Sequence, residues 1–167
     1  MNMRKEFITE NFKETQRLGE FLAMEIEDGR KSSVLVSLVR PKMSDLEEAL
    51  VLCLEGDLGA GKTTFTQGLL QRLRAEGPYT SPTFLIMKEY DLQETKEFKI
   101  RNIYHIDAYR VGERDVLDLG WEEIIADPKN VVIVEWPEKI SRILPENSIR
   151  IKFEWLDENR RKITFGK

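Results

Sequence analysis

The chain has 167 residues, 41% hydrophobic and 34% charged, with 26 Lys+Arg against 30 Asp+Glu. That length can bury a working core without disulfides or a structural metal, and a single cysteine makes no internal bridge. A formal charge of −4 opposes tight nucleic-acid binding by bulk electrostatics, no apolar stretch approaches the roughly 18 residues that span a bilayer, and no signal-peptide pattern follows Met1. The expectation is a cytoplasmic protein without a membrane segment, folded as one domain over residues 1–167.

In chain order, residues 11–26 carry Phe12, Leu18, Phe21, Leu22 and Ile26 at helical spacing and predict an amphipathic helix. A strand is expected over 33–39, ended by Pro41, and a polar stretch over 42–48 leads to the apolar run 50–54. That run reads as a buried central strand, in which Cys53 packs as a small inert hydrophobe. After a glycine-rich turn, Phe65, Leu69, Leu70 and Leu73 recur on one helical face. Residues 84–90 and 98–106 are rich in aromatic and branched side chains, and the polar stretch 93–96 between them predicts an antiparallel pair. Residues 116–125 predict a helix that Gly120 is placed to interrupt. Val131, Val132, Ile133 and Val134 suit a parallel strand buried on both faces, and 148–155 with 160–165 read as a hairpin around 156–159.

The turn after the first apolar run is Gly56, Asp57, Leu58, Gly59, Ala60, Gly61, Lys62, Thr63, a complete G-x-x-x-x-G-K-[ST] phosphate-binding match, followed by Thr64. It follows a strand and opens a helix, as such a loop must. Gly56, Gly59 and Gly61 let successive N–H groups turn inward at phosphate oxygens, and the helix N-terminus adds partial positive charge. Lys62 supplies a mobile cation for the β- and γ-phosphates, and Thr63 a hydroxyl for Mg²⁺. The pattern predicts an α/β fold: a P-loop NTPase-like central, mostly parallel sheet flanked by helices, with antiparallel hairpin additions.

Other polar groups have two readings each. Glu135, directly after the apolar strand, is either the acid beside Mg²⁺ or a solvated acid opening the loop that Pro137 shapes. Thr80, Ser81, Pro82 and Thr83 form either a hydroxyl cluster within reach of a γ-phosphate or a plain turn. By alternation His105, Asp107 and Tyr109 share a face, where a His/Asp pair could orient a water or form a hydrogen-bonded strand-edge cluster.

The order of these blocks resembles the bacterial tRNA threonylcarbamoyladenosine biosynthesis ATPase family, TsaE or YjeE. The P-loop through Phe65 is followed by Thr80 to Phe84, then by Tyr104 to Arg110, then by Val134 to Glu138. Weaker echoes are Thr15 to Gly19 and Leu119 to Glu123. Ala108 stands where the family usually has leucine, and the stretch 28–48 is longer than the family pattern. The resemblance implies an ATPase of low intrinsic turnover, with ATP and Mg²⁺ as cofactors. It implies partnership with the TsaD and TsaB proteins, which modify adenosine in tRNA, so that tRNA is met only indirectly. It also implies that Lys62 and Thr63 bind phosphate and Mg²⁺, that Glu135 is the magnesium-side acid, that Asp107 serves hydrolysis, that Thr80 begins a nucleotide-sensing loop, and that Trp136 lies near the nucleotide. A small-molecule P-loop kinase is the competing reading. Such an enzyme should carry an arginine-rich lid, whereas Arg72, Arg74, Arg110 and Arg114 are scattered.

Overall fold

The computed structural model describes residues 4–28, 47–82, 84–92 and 100–166. The expected strand at 33–39 and the turn at 93–96 lie outside them. Among the described residues seven strands form one sheet, in the order β1 (Lys5–Thr9), β7 (Arg161–Gly166), β6 (Ile149–Trp155), β2 (Leu50–Glu55), β5 (Asn130–Glu135), β4 (Asn102–Asp107), β3 (Met87–Asp91). The core of the sheet, β6-β2-β5-β4, is parallel throughout, and β1, β7 and β3 join antiparallel at the edges. The expected antiparallel pair is present as β3 with β4 and the expected terminal hairpin as β6 with β7, and each contributes one strand to the parallel core. Strand β1 has little sign in the sequence, because its five residues alternate weakly and it is ordered by its pairing with β7, a partner distant in sequence.

Every residue of β5 is buried, as its branched apolar run requires. Alternation along the strands splits the core in two. Leu50, Leu52, Leu54, Val131, Ile133 and Ile103 face α1 (Phe12–Asp28) and α2 (Lys62–Arg72). Val51, Cys53, Val132, Val134 and Ile106 face α3 (Glu113–Leu117), α4 (Trp121–Ala126) and a 3-10 turn, Pro137–Ile140. Gly120, at φ +86°, separates α3 from α4, so the interruption at this glycine occurs. Cys53 is a free, buried thiol, and burial pushes its pKa up to about 11, which leaves it unreactive.

The buried stripe of α1 differs from the one expected. Thr15, Gly19, Leu22, Ala23 and Ile26 face inward, Leu18 packs beside them, and Phe12 and Phe21 are exposed. Asn11 caps the helix by accepting a hydrogen bond from the Glu14 N–H at 3.1 Å, and the Glu14 carboxylate accepts one from the N–H of Glu10, the residue before the cap, at 2.8 Å. The inward stripe contains a glycine because α1 and α2 touch through their backbones. A Cβ on Gly68 would stand 1.9 Å from the Gln16 carbonyl oxygen, and one on Gly19 would stand 2.0 Å from that of Phe65. This close crossing brings the first turn of α1 beside the start of α2.

Gly68→Ala tests the contact. Helix propensity alone would stabilise the variant by about 1 kcal/mol. The overlap with α1 should outweigh that gain and give a net loss of about 1–3 kcal/mol, read as a lowered urea midpoint. A raised midpoint would contradict the backbone contact.

Candidate functional site

A cleft of about 480 Å³ opens at the carboxyl ends of β2, β5 and β4. The register sets its contents. Leu54 is level with Glu135, Glu135 with Asp107, and the chain leaves β2 one residue later into Gly56. Since Ile103 and Ile133 face the helix α2, the same alternation sends His105, Asp107 and Glu135 to that side, where α2 begins with Lys62.

The loop carries the backbone its glycines were expected to supply. Gly56, Gly59 and Gly61 have φ of +142°, +78° and +104°. At Gly56 a Cβ would also stand 2.4 Å from the Phe153 carbonyl oxygen, so only glycine fits there. Leu58, Gly59, Gly61, Lys62, Thr63 and Thr64 line the cleft, while Gly56, Asp57 and Ala60 shape the loop without lining it. The Lys62 ammonium donates to the Gly56 carbonyl and, at 3.0 Å, to that of Asp57, and it lies 4.5 Å from the centre of the Trp136 ring. Burial pushes this ammonium below the usual lysine range, against the opposing pull of Glu135, Glu138, Asp107 and Asp57.

Asp107, Glu135 and Trp136 line the cleft as well. Asp107 accepts from the Ser81 hydroxyl at 3.1 Å and from the Tyr109 N–H at 2.9 Å, which ties the turn before β3 to the chain after β4. Glu135 Oε1 lies 2.8 Å from His105 Nε2, with both side chains buried. The histidine therefore engages Glu135, the more distant acid in sequence. Trp136 sits at φ +58°, a conformation a bulky residue adopts only when its surroundings impose it, and packs against Tyr109 with ring centres 4.8 Å apart and the planes tilted by 48°. Thr80 does not line the cleft. The turn instead presents Ser81, because Ser81 is the residue whose hydroxyl reaches Asp107. Thr83 lies outside the described residues.

One wall of the cleft has no local sign in the sequence. Glu158, Asn159 and Arg161 come from the β6–β7 hairpin, and Asn11 and Phe12 from the start of α1. The hairpin arrives there because β6 pairs with β2 and because Phe65 of α2 packs edge-on against Phe153, with ring centres 5.3 Å apart. Arg161 donates to the Gly59 carbonyl at 3.2 Å and the Asp157 carbonyl at 2.7 Å, and so bridges loop and hairpin. Only the strand order, which is not a local property of the sequence, could have placed it there.

These residues suit a phosphate chain with a hard cation. A largely buried ammonium at a helix N-terminus fits the anion, and the Thr63 hydroxyl and Glu135 carboxylate are the oxygen donors that Mg²⁺ prefers. Among the described residues no group of three or more His, Cys, Asp or Glu could hold a metal, and Mg²⁺ beside a phosphate chain ordinarily takes several of its ligands from phosphate and water.

The sequence profile described as "Threonylcarbamoyl adenosine biosynthesis protein TsaE" matches residues 9–163. The chain belongs to the TsaE family. Among its TsaE relatives, each called "tRNA threonylcarbamoyladenosine biosynthesis protein TsaE", that of Bacillus subtilis (strain 168) is 41% identical over 115 residues, covering 69% of this chain and 68% of its own. That of Aquifex aeolicus (strain VF5) is 32% identical over 165 residues, covering 98% and 96%. A solved structure described as "Crystal structure of Bacillus subtilus YdiB" superimposes with a TM-score of 0.68 at 28% identity, covering 99% of this chain and 86% of that one. The TsaE match spans every block quoted for the resemblance, and the long stretch 28–48 falls inside it.

The Arg161 bridge predicts a local effect. Arg161→Met should speed amide hydrogen exchange at residues 58–61 by about tenfold, the worth of one hydrogen bond, and leave β5 protected. Unchanged exchange at 58–61 would show that the loop holds its shape without the bridge.

Proposed function

We propose that this TsaE-family chain is a Mg²⁺-dependent ATPase of low intrinsic turnover that supports threonylcarbamoylation of adenosine in tRNA. It would work in the cytoplasm by nucleotide-dependent association with TsaD and TsaB, and meet tRNA only through them. The observation that carries the reading is the convergence of Lys62, Thr63, Asp107 and Glu135 on one cleft at the carboxyl ends of three parallel strands. The names of its relatives supply the pathway. The charge of −4 supports indirect contact with tRNA, and among the described residues no helix is long and apolar enough to cross a membrane.

In this reading the loop's N–H groups and Lys62 hold the phosphates, and Thr63 and Glu135 hold Mg²⁺. The metal would supply compensation for charge on the β- and γ-phosphate oxygens. Asp107 orients a water for attack on the γ-phosphorus as the bond to the bridging oxygen breaks, and Ser81 couples that carboxylate to the sensing turn that begins at Thr80. Trp136, packed on Lys62 and Tyr109, carries the state of the phosphate site to the surface. The kinase alternative finds less support, because Arg161 is spent on carbonyls of its own chain and Arg110 is the other arginine lining the cleft.

Two variants separate binding from turnover. Lys62→Ala should weaken ATP affinity by roughly tenfold to a hundredfold in calorimetry, the worth of a lost charged hydrogen bond. Asp107→Asn keeps an acceptor for the Tyr109 N–H, so affinity should stay within about twofold while phosphate release falls by roughly a hundredfold or more. Unchanged affinity in Lys62→Ala would remove the phosphate site, and parallel losses in Asp107→Asn would remove the hydrolytic role.

A further inference from the structure

We propose that His105 is a positioning residue for Glu135: its buried imidazole holds one carboxylate oxygen from behind and leaves the other directed to the cleft, ready for a divalent cation. The inference rests on the magnesium-side role of Glu135 given above. His105 does not line the cleft, so it acts only through the carboxylate it touches.

The geometry supports this in three ways. First, the pair is close and dry. Nε2 and Oε1 are 2.8 Å apart, with the two side chains 2% and 5% exposed. A carboxylate only accepts, so Nε2 donates, and a hydrogen bond to a charged acceptor in such surroundings is among the stronger ones. Second, Glu135 Oε2 has no hydrogen bond among the described residues, although the side chain borders the cleft. One oxygen is thus fixed and the other is available. Without the fixed oxygen, the carboxylate could turn onto the Lys62 ammonium, which attracts it. Third, His105 Nδ1 is buried with no partner among the described residues. An unpaired buried nitrogen is a cost that a leucine of similar bulk would not carry, so packing alone does not account for the imidazole. Its Cα neighbours across the sheet do not replace it as a donor to Glu135: Ile133 is apolar, and Lys88 donates to the Pro78 carbonyl.

The test compares His105→Leu, His105→Gln, His105→Asn and Glu135→Ala in the full chain. Calorimetry with a non-hydrolysable ATP analogue gives the affinity in Mg²⁺ and in EDTA, and the ratio is the magnesium gain. Glutamine can place its amide nitrogen near the position of Nε2, and asparagine is too short to do so. Glu135→Ala should abolish the gain. His105→Leu should reduce it by about tenfold or more with EDTA affinity within about twofold, as expected for loss of a group that orients a metal ligand. His105→Gln should restore most of it and His105→Asn should not.

A full gain in His105→Leu, with the gain lost in Glu135→Ala, overturns the positioning role and leaves the role of Glu135 standing. Equal losses in Mg²⁺ and EDTA make His105 structural and also overturn it. A full gain in Glu135→Ala removes the magnesium-side role itself, and the inference about His105 falls with it. If His105→Leu does not fold, the Gln and Asn variants decide, and equal gains in the two overturn the proposal.

Discussion

Strand β5 is hydrogen-bonded in parallel to β2 on one side and to β4 on the other, and the contents of the cleft follow from that pairing. Because all three strands point the same way, their carboxyl ends coincide, and the groups that follow or end them meet there. Because the side-chain period is two, a one-residue slip of β5 would turn Glu135 to the opposite face, away from Lys62 and His105. The wholly buried, branched character of β5 prevents that slip, since the two faces of the sheet pack against different sets of helices. Core packing and site geometry are therefore one constraint.

The second layer is electrostatic. A lysine at the first position of α2 is held between loop carbonyls and an indole face, and Asp107 and Glu135 are among the four carboxylates that attract it. Burial opposes its charge, so an added anion stabilises the ammonium. Those two carboxylates are each held by other partners, Asp107 by Ser81 and the Tyr109 N–H, and Glu135 by His105. Acid and base are thus kept near each other without collapsing into a closed ion pair, an arrangement suited to receive a phosphate chain and a cation together.

Much of this was legible in the sequence for local reasons. The P-loop is a contiguous run whose glycines dictate its backbone, and β5 is a run of branched residues with one stable environment. The Asp107 and Glu135 positions follow from strand ends. What could not be read depends on partners distant in sequence. The burial of Gly19 and Gly68 reflects a helix crossing that local periodicity does not encode, and the apolar spacing of α1 instead passes through Phe12 and Phe21, which are exposed. The contribution of Arg161 and Asn159 needed the order of β7, β6 and β2. The preference of His105 for Glu135 over a neighbour two residues away needed the register between β4 and β5. Within the turn after α2, the choice of Ser81 over Thr80 depends on which hydroxyl reaches Asp107.

The proposed role of this cleft in powering a step of tRNA modification is tested most directly by the threonylcarbamoyladenosine content of tRNA. Cells depleted of their own TsaE-family protein would be complemented with this chain or with its Lys62→Ala variant, and the nucleosides of purified tRNA quantified by mass spectrometry. The account predicts that the wild-type chain restores the modified nucleoside and that the variant, expressed to the same level, does not. Equal restoration by both would contradict it.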